Sequence, residues 1–458
     1  MEKKHFDTFV IGFGKAGKTL AGALAKSGRE IALAEQSSQM YGGTCINVGC
    51  IPTKSLVDSA ERAAIRKLEH FEEKAAAYAQ AIEDKTALVE KLRSKNYHML
   101  ADKENVTVYL GTAGFIDAHT VEVVGPEGTE QLTAPKIFIN TGSVPVVPPI
   151  EGLAESSRVY LSETIMDLKE LPRKLVIIGG GYIGLEYASF YRMFGAEVTI
   201  LQNNTDFIPR EDRDIAAAVQ AEMTRQGIRL ELGTEIWRVR EGDGQAVIEY
   251  EQAGTPQLLS ADAVLVATGR RPNTDDLHLE KAGIATLPRG GIRTDRQRQT
   301  TQPHIWAMGD VVGGLQFTYV SLDDFRIVRA ALEGGTYQDW GRNIPYSVFI
   351  EPSLSRVGLT EKEAREKGLK IAVATLPVAA IPKAHVLKRP QGLLKAIVDR
   401  DSQKILGATL FCPESYEMIN IVKLAMDAGL TYRSLRDQIF THPTMSESLN
   451  DLFGQIKV

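Results

Sequence analysis

Two of the chain's three cysteines, Cys45 and Cys50, stand five positions apart in Gly42-Gly43-Thr44-Cys45-Ile46-Asn47-Val48-Gly49-Cys50-Ile51-Pro52-Thr53-Lys54. Thiols at this spacing suit a redox-active disulfide, part of a metal site, or two small buried hydrophobes. Zinc ordinarily takes three or four protein ligands, so two thiolates alone leave a metal site incomplete. Gly42, Gly43 and Gly49 remove side chains where a flat ring would approach, and Lys54 follows Cys50 by one helical turn. An ammonium and a helix N-terminus both lower a thiol pKa. What surrounds this segment decides among the three readings.

Upstream, the apolar run Thr8 to Ile11 enters Gly12-Phe13-Gly14-Lys15-Ala16-Gly17, a helical pattern follows from Lys18 to Lys26, and a second strand, Ile31 to Ala34, ends in Glu35. Strand, glycine turn, helix, strand and acid form a dinucleotide-binding unit, in which a pyrophosphate approaches backbone N–H groups at a helix N-terminus. The arrangement returns at Leu175 to Ile178, Gly179-Gly180-Gly181-Tyr182-Ile183-Gly184, a helix through Phe194, and Val198 to Leu201. Glu35 lies 18 positions past Gly17 and Gln202 lies 18 past Gly184, so the two copies form an internal repeat at domain scale. Each copy closes with a strand running into Thr-Gly, at Ile137 to Asn140 before Thr141-Gly142 and at Val264 to Ala267 before Thr268-Gly269. Glu35 suits an adenosine ribose; neutral Gln202 neither repels a 2′-phosphate nor has an arginine immediately beside it to attract one. With two nucleotide folds present, the redox reading of the cysteine pair outweighs the others.

The stretch from about Lys54 to Leu100 reads as one or two amphipathic helices forming a solvated insertion. After Arg342 the pattern changes to the strands Tyr346 to Phe349, Ile371 to Leu376, Leu394 to Val398 and Ile405 to Leu410, then a helix over Tyr416 to Ala428, which reads as a separate α+β domain. A helix from about Leu322 to Leu332 precedes it. The expected fold is therefore α/β, with two Rossmann-like dinucleotide-binding domains and a C-terminal α+β domain. Its expected limits are 1–150, with 273–342 returning to the first domain, then 151–272 and 343–458.

Composition narrows the partners. The chain has 53 Lys and Arg against 58 Asp and Glu with no long block of one sign, so neither nucleic acid nor an anionic membrane is expected. No run of 18 or more apolar residues predicts a spanning helix, and the start lacks a secretory pattern, so the chain is read as mature from Met1 and cytoplasmic. Three cysteines are too few for a secreted disulfide framework. Cys412 stands alone and reads as a core thiol; His70, His98 and His385 are given no role.

The strings GGTCINVGCIPTK, GGGYIGLE, Met308-Gly309-Asp310 and THPTMSE, in this order, resemble the FAD-dependent pyridine nucleotide-disulfide oxidoreductases across essentially the whole chain. The resemblance implies FAD in the first domain, NADH or NADPH in the second, and a homodimer formed through the C-terminal domain. It implies Cys45 as the interchange thiol facing substrate, Cys50 as the charge-transfer thiol against the flavin, and Lys54 near the flavin N5, paired with Glu186. Tyr182 would cover the nicotinamide pocket and swing aside, Asp310 would hold the ribityl chain, and Ala113 would meet adenine through its backbone. Gly12, Gly14, Ala16, Gly17, Glu35, Gln36, Gly43, Thr44, Gly49, Thr141, Gly142 and Gly309 complete the implied FAD contacts. Gly179, Gly181, Ile183, Gly184, Gln202 and Gly269 complete those for the nicotinamide coenzyme. His442 and Glu447 match the base and its orienting carboxylate, which in relatives come from the opposite subunit.

Longer strings, IGFGKAGKTLA, GGLQFTYVSLDDFRIVR, SRVGLTE, LPVAAIPKA and DQIFTHPTMSESLNDLF, are similar to a mercuric reductase-like, reactive-chlorine-resistance branch of that family. This implies reduction of hypothiocyanous acid or copper(II), with no structural metal and Cys45 and Cys50 as transient copper contacts. The expected alternatives are lipoamide dehydrogenase, mercury(II) reductase, or a thiol sensor or metal-sequestering flavoprotein. The mercuric reductase C-terminal cysteine pair is absent, and His442 stands where those enzymes carry tyrosine.

Overall fold

The structure, a computed structural model, describes residues 3–339 and 341–457; the expected domain limits at Met1 and Val458 lie outside the described residues. The chain is mixed α/β, and its first two large sheets are built alike. In the first, the strands run in the order Ile305–Ala307, Ile137–Ile139, Thr8–Ile11, Ile31–Glu35, Val106–Leu110, all parallel. In the second, the order is Val159–Leu161, Ala263–Val266, Lys174–Ile178, Glu197–Gln202, Arg229–Leu232, again all parallel. Parallel strands covered on both faces require unbroken apolar runs, and Thr8–Ile11 and Ala263–Val266 are buried at every position. The outermost strand of the first sheet arrives late in the chain, from residues 305–307.

The first helix spans Lys15–Ala25, three residues ahead of the expected start, because Gly14 is itself the N-cap and the glycine turn is the helix's opening. The expected solvated insertion is two helices, Cys50–Ile65 and Phe71–Ala101, and it is not simply solvated. Tyr78, Ile82, Lys85 and Val89 recur at helical spacing and are buried. Tyr78 packs with Leu56 and Ala60 against Leu185, Tyr187 and Tyr191 of the helix Tyr182–Phe194. Its hydroxyl donates to the Leu168 carbonyl at 2.7 Å. The insertion therefore cements the two nucleotide-binding units together.

Two further sheets went unread in the sequence: a mixed one of Lys3–His5, Gly128–Thr133, Thr120–Gly125 and Thr112–Phe115, in which only Lys3–His5 pairs parallel, and an antiparallel one of the three strands between Thr234 and Ala261. The last sheet has the order Tyr346–Val348, Leu354–Gly358, Ile405–Phe411, Leu393–Asp399, Ile371–Pro377, with the helix Ser415–Asp427 packed on it. Its second strand, Leu354–Gly358, is too short, with Ser355 and Arg356 between its two apolar residues, to show an apolar pattern, although Ser355 is fully buried.

Candidate active site

Each glycine turn backs directly onto the strand end that closes its own sheet. Gly12, at φ +97°, would place a Cβ 2.4 Å from the Asn140 carbonyl, and Gly179, at φ +111°, would place one 2.5 Å from the Ala267 carbonyl. That close approach is why the glycine turn and the Thr-Gly ending recur together. Ala16 and Gly17 do not face the ligand space: the Ala16 N–H donates to Ser321 Oγ at 3.3 Å and the Gly17 N–H to Asn140 Oδ1 at 2.9 Å. Asn140 also donates to the Met308 carbonyl at 2.6 Å, pinning the turn to the Met308-Gly309-Asp310 segment. The residue 18 positions past each turn braces it. Glu35 Oε2 accepts from the Phe13 N–H at 3.0 Å, and Gln202 Oε1 accepts from the Gly180 N–H at 2.6 Å. Burial pushes the Glu35 carboxyl up, against the hydrogen bonds it accepts.

One continuous cavity of about 1610 Å³ begins at Gly12, Gly14, Glu35, Gln36 and Ala113, passes Thr141, Gly142 and Asp310, and reaches Gly43, Thr44, Cys45, Gly49 and Cys50. Lys54, Tyr182, Ile183 and Glu186 form its far wall. A drug-sized ligand occupies about 300–1,000 Å³, so this space is of dinucleotide scale. The FAD implied above fits these walls. A carboxylate stands at the ribose end beside a glycine turn, where Gly43 would place a Cβ 2.8 Å from Gly14 Cα and so leaves backbone alone at the surface. Asp310, midway, accepts from Ser143 Oγ at 3.0 Å, and burial pushes its carboxyl up, which suits a hydroxyl-bearing chain as partner. Gly309 lies behind it, its N–H donating to the buried Asp324 carboxylate at 2.9 Å. Gly142 and Thr141 are held by Asn273, the former through a 3.0 Å backbone bond and the latter through a 2.7 Å hydroxyl bond.

The two thiols meet at the cavity's far end. Cys45 sits in the short helix Thr44–Asn47, Cys50 opens the helix Cys50–Ile65, and both are free. The pair shares one hydrogen bond, which lowers the Cys45 thiol to about 6 against the opposing effect of burial; Thr318, Lys18 and Lys54 assist. The same bond, with burial, raises Cys50. At neutral pH the dithiol thus carries one negative charge, a property of the pair. Thr318 Oγ1 lies 3.8 Å from Cys50 Sγ. Lys18 is buried, donating to the Gly42 carbonyl at 3.1 Å and to Asn96 Oδ1 at 2.5 Å, and burial lowers its ammonium to about 8.

Lys54 and Glu186 meet at 2.6 Å, bringing the cysteine helix to the coenzyme-side helix. Glu186 also accepts from the Phe349 N–H at 2.9 Å, and the Lys54 ammonium lies 4.6 Å from the Phe349 ring centre. Tyr182 begins its helix with its ring stacked on Tyr346 at 5.4 Å, and both phenols donate to Glu211. Gly179, Gly181, Gly184, Gln202 and Gly269 lie outside the cavity wall, on the second unit's own turn and strand ends. His442 is also outside it: its Nδ1 pairs with Glu447 at 2.8 Å and its side chain is 73% exposed. Cys412 is buried with its sulfur 3.7 Å from that of Met418, in the C-terminal core.

Sequence reasoning missed Asn140, Ser321, Thr318, Lys18 and Glu211. Of these, only Lys18 carried a local signal, a cation one residue past the glycine turn. Thr318 was hidden because its helix, Thr318–Leu332, begins without a side-chain cap, four residues before the expected start.

Known proteins resemble this chain along its length. The description of the pyridine nucleotide-disulphide oxidoreductases matches residues 6–324, and that of their dimerisation domain matches 344–453. The probable pyridine nucleotide-disulfide oxidoreductase RclA of Escherichia coli (strain K12) is 53% identical over 454 residues, 99% of each chain. The solved Cu(II) complex of the HOCl-induced flavoprotein disulfide reductase RclA from Escherichia coli has a TM-score of 0.93 and 52% identity, covering 100% of both chains. Mercuric reductase of Staphylococcus aureus is 34% identical, over 97% of this chain and 81% of its own. Among the described residues, no helix is long and apolar enough to cross a membrane.

Proposed function

The chain belongs to the pyridine nucleotide-disulphide oxidoreductase family, and from that premise we propose that Cys45 and Cys50 carry electrons from NAD(P)H to a small oxidant or metal ion. It is an enzyme that works with FAD and NAD(P)H. Bound FAD supplies a ring that takes hydride from the coenzyme and hands the electron pair to sulfur. The observation that carries the proposal is the meeting of two thiols, one lowered to about 6, in the same cavity as the Lys54–Glu186 pair and Tyr182.

The acceptor we favour is hypothiocyanous acid or copper(II), in defence against hypohalous stress; the solved Cu(II) complex of the HOCl-induced Escherichia coli relative supports that choice. The Cys45 thiolate attacks the electrophilic sulfur of hypothiocyanous acid, releasing hydroxide, and Cys50 then displaces thiocyanate as the disulfide closes. With copper, the singly charged dithiol gives one electron to each of two cupric ions and closes to the same disulfide, releasing the one proton that Cys50 still carries. His442, oriented by Glu447, manages the proton at Cys45 from the second subunit of a homodimer; its exposure and its place outside its own chain's cavity support that assignment. The same proposal sets Cys50 against the flavin and Lys54 near its N5, with domain limits 1–150 with 273–342, 151–272 and 343–458. It has the enzyme act in the cytoplasm.

The test is Cys45→Ser with an acceptor panel of hypothiocyanous acid, copper(II), mercury(II), lipoamide and glutathione disulfide, with NADH and NADPH. Acceptor-dependent coenzyme oxidation falls by at least about 1,000-fold, as loss of a nucleophile does, and hypothiocyanous acid or copper(II) gives the highest wild-type rate. Wild-type turnover by Cys45→Ser refutes the mechanism; a highest rate with lipoamide or mercury(II) refutes the acceptor.

A further inference from the structure

Glu211 is the most deeply buried carboxylate on the coenzyme side of the cavity, its side chain wholly without exposure. One of its oxygens, Oε1, accepts from the hydroxyls of both Tyr182 and Tyr346, which lie 3.0 Å apart. The other, Oε2, has no hydrogen-bond partner, and the cation facing it, Arg356, is 3.7 Å away. A desolvated carboxylate makes strong, charge-assisted bonds to its donors, because little else solvates it. The loop beneath is braced by Arg213, which donates to the carbonyls of Phe207, Ile208 and Glu211.

The two phenols are not equally free to leave. The Tyr346 ring is buried on its strand, parallel to Phe317 at 6.1 Å and 5.2 Å from the Arg356 guanidinium. Tyr182 is half-buried at the first position of its helix and faces the cavity. We propose that Glu211 is a latch: a positioning residue that, anchored with Tyr346 and Arg356, holds the Tyr182 ring over the cavity and thereby sets how readily the nicotinamide enters. This rests on the reading of Tyr182 as a movable cover. Opening the cover removes one of the two donors to Glu211, so the bond opposes entry of the nicotinamide and of no other part of the coenzyme. Where the open form is a minority, apparent affinity falls by the open fraction, and loosening the latch restores it.

The test is calorimetric binding to the oxidised FAD-loaded protein, with no turnover. The ligands are NAD+ or NADP+, whichever the wild type binds more tightly, and ADP-ribose or its 2′-phosphate, which lacks the nicotinamide. Tyr182→Phe removes a single oxygen and keeps the ring; Glu211→Gln removes the charge. Each tightens the dinucleotide by about fivefold or more and leaves the nicotinamide-free ligand within about twofold. The double substitution tightens no further than Tyr182→Phe alone, because both act through one bond. Unchanged dinucleotide binding in Tyr182→Phe, equal shifts for both ligands, or additive effects in the double each overturn the latch. Tyr182→Ala separates the two readings: if removing the ring leaves the ratio of the two affinities unchanged, the cover itself is wrong. If it tightens the dinucleotide while Tyr182→Phe and Glu211→Gln do nothing, the cover stands and the latch falls.

Discussion

The two nucleotide-binding units share the order of four of their five strands, a glycine turn pressed against a Thr-Gly strand end, and a brace 18 positions on, yet only one carries the cysteine pair. The difference lies between their second and third strands. In the second unit the chain goes from Gln202 to Arg229 by way of one helix, Arg213–Arg225. In the first it leaves Glu35, passes through both cysteines and Lys54, and builds two helices before returning at Val106. The frame is common to both units; the proposed redox pair lies in what is inserted into one of them. The insertion also explains how the units communicate, since Lys54 reaches Glu186 and Tyr78 reaches Leu168 across the boundary.

The comparison is broken most forcefully at the innermost glycines. A Cβ at Gly17 would lie 2.7 Å from the Gly12 carbonyl, and one at Gly184 would lie 2.1 Å from the Gly179 carbonyl. Gly17→Val should yield protein without bound flavin. Gly184→Val should keep its yellow colour but lose flavin reduction by NAD(P)H by at least about 100-fold, close to 3 kcal/mol of lost coenzyme binding. Absorbance of the purified proteins and stopped-flow reduction separate the two; equal loss of flavin from both would erase the division of labour.

A smaller effect sharpens the role of the insertion. The lowered pKa of Cys45 arises first from its hydrogen bond with Cys50. In the reduced protein, alkylation of Cys45 should rise with pH through about 6, as thiolate replaces thiol, and level off above it. Cys50→Ala removes that bond, so the same profile should move upward toward an ordinary thiol, near 8.5. A profile that stays in place would mean that Lys18, Lys54 and Thr318 set the charge unaided.

What the sequence made legible follows from distance along the chain. Glycine spacing, the Thr-Gly endings and the cysteine pair are local patterns, and the strands they predict appear within one or two residues of their expected ends. Asn140, Ser321 and Glu211 act on partners that the fold alone brings near: Ser321 meets Ala16, and Glu211 meets Tyr346. The burial of Tyr78 was missed for the same reason, because a helix with charged residues along its length shows its apolar stripe only once the facing surface is known. His442 and Glu447 were legible by motif, and their pairing at 2.8 Å is seen; the thiol proposed for them is that of a second subunit, which no pattern within one chain can place.

The mildest substitution tests the remaining asymmetry, the strand-end acid of one unit against the amide of the other. Gln202→Glu keeps an acceptor for the Gly180 N–H but adds a negative charge where the proposed coenzyme site would place the adenosine ribose. It should lower kcat/KM for NADPH by about tenfold and leave NADH within about twofold, a difference near 1.4 kcal/mol. Equal loss for both coenzymes would mean that position 202 serves the turn alone.

A count of thiols tests electron storage in the Cys45–Cys50 pair most directly. The oxidised FAD-loaded protein, quenched into denaturant with a maleimide, should label only at Cys412, and after one equivalent of NAD(P)H under argon it should label at Cys45 and Cys50 as well. Labelling of all three cysteines before the coenzyme is added, or of Cys412 alone afterwards, would contradict electron storage in the Cys45–Cys50 pair.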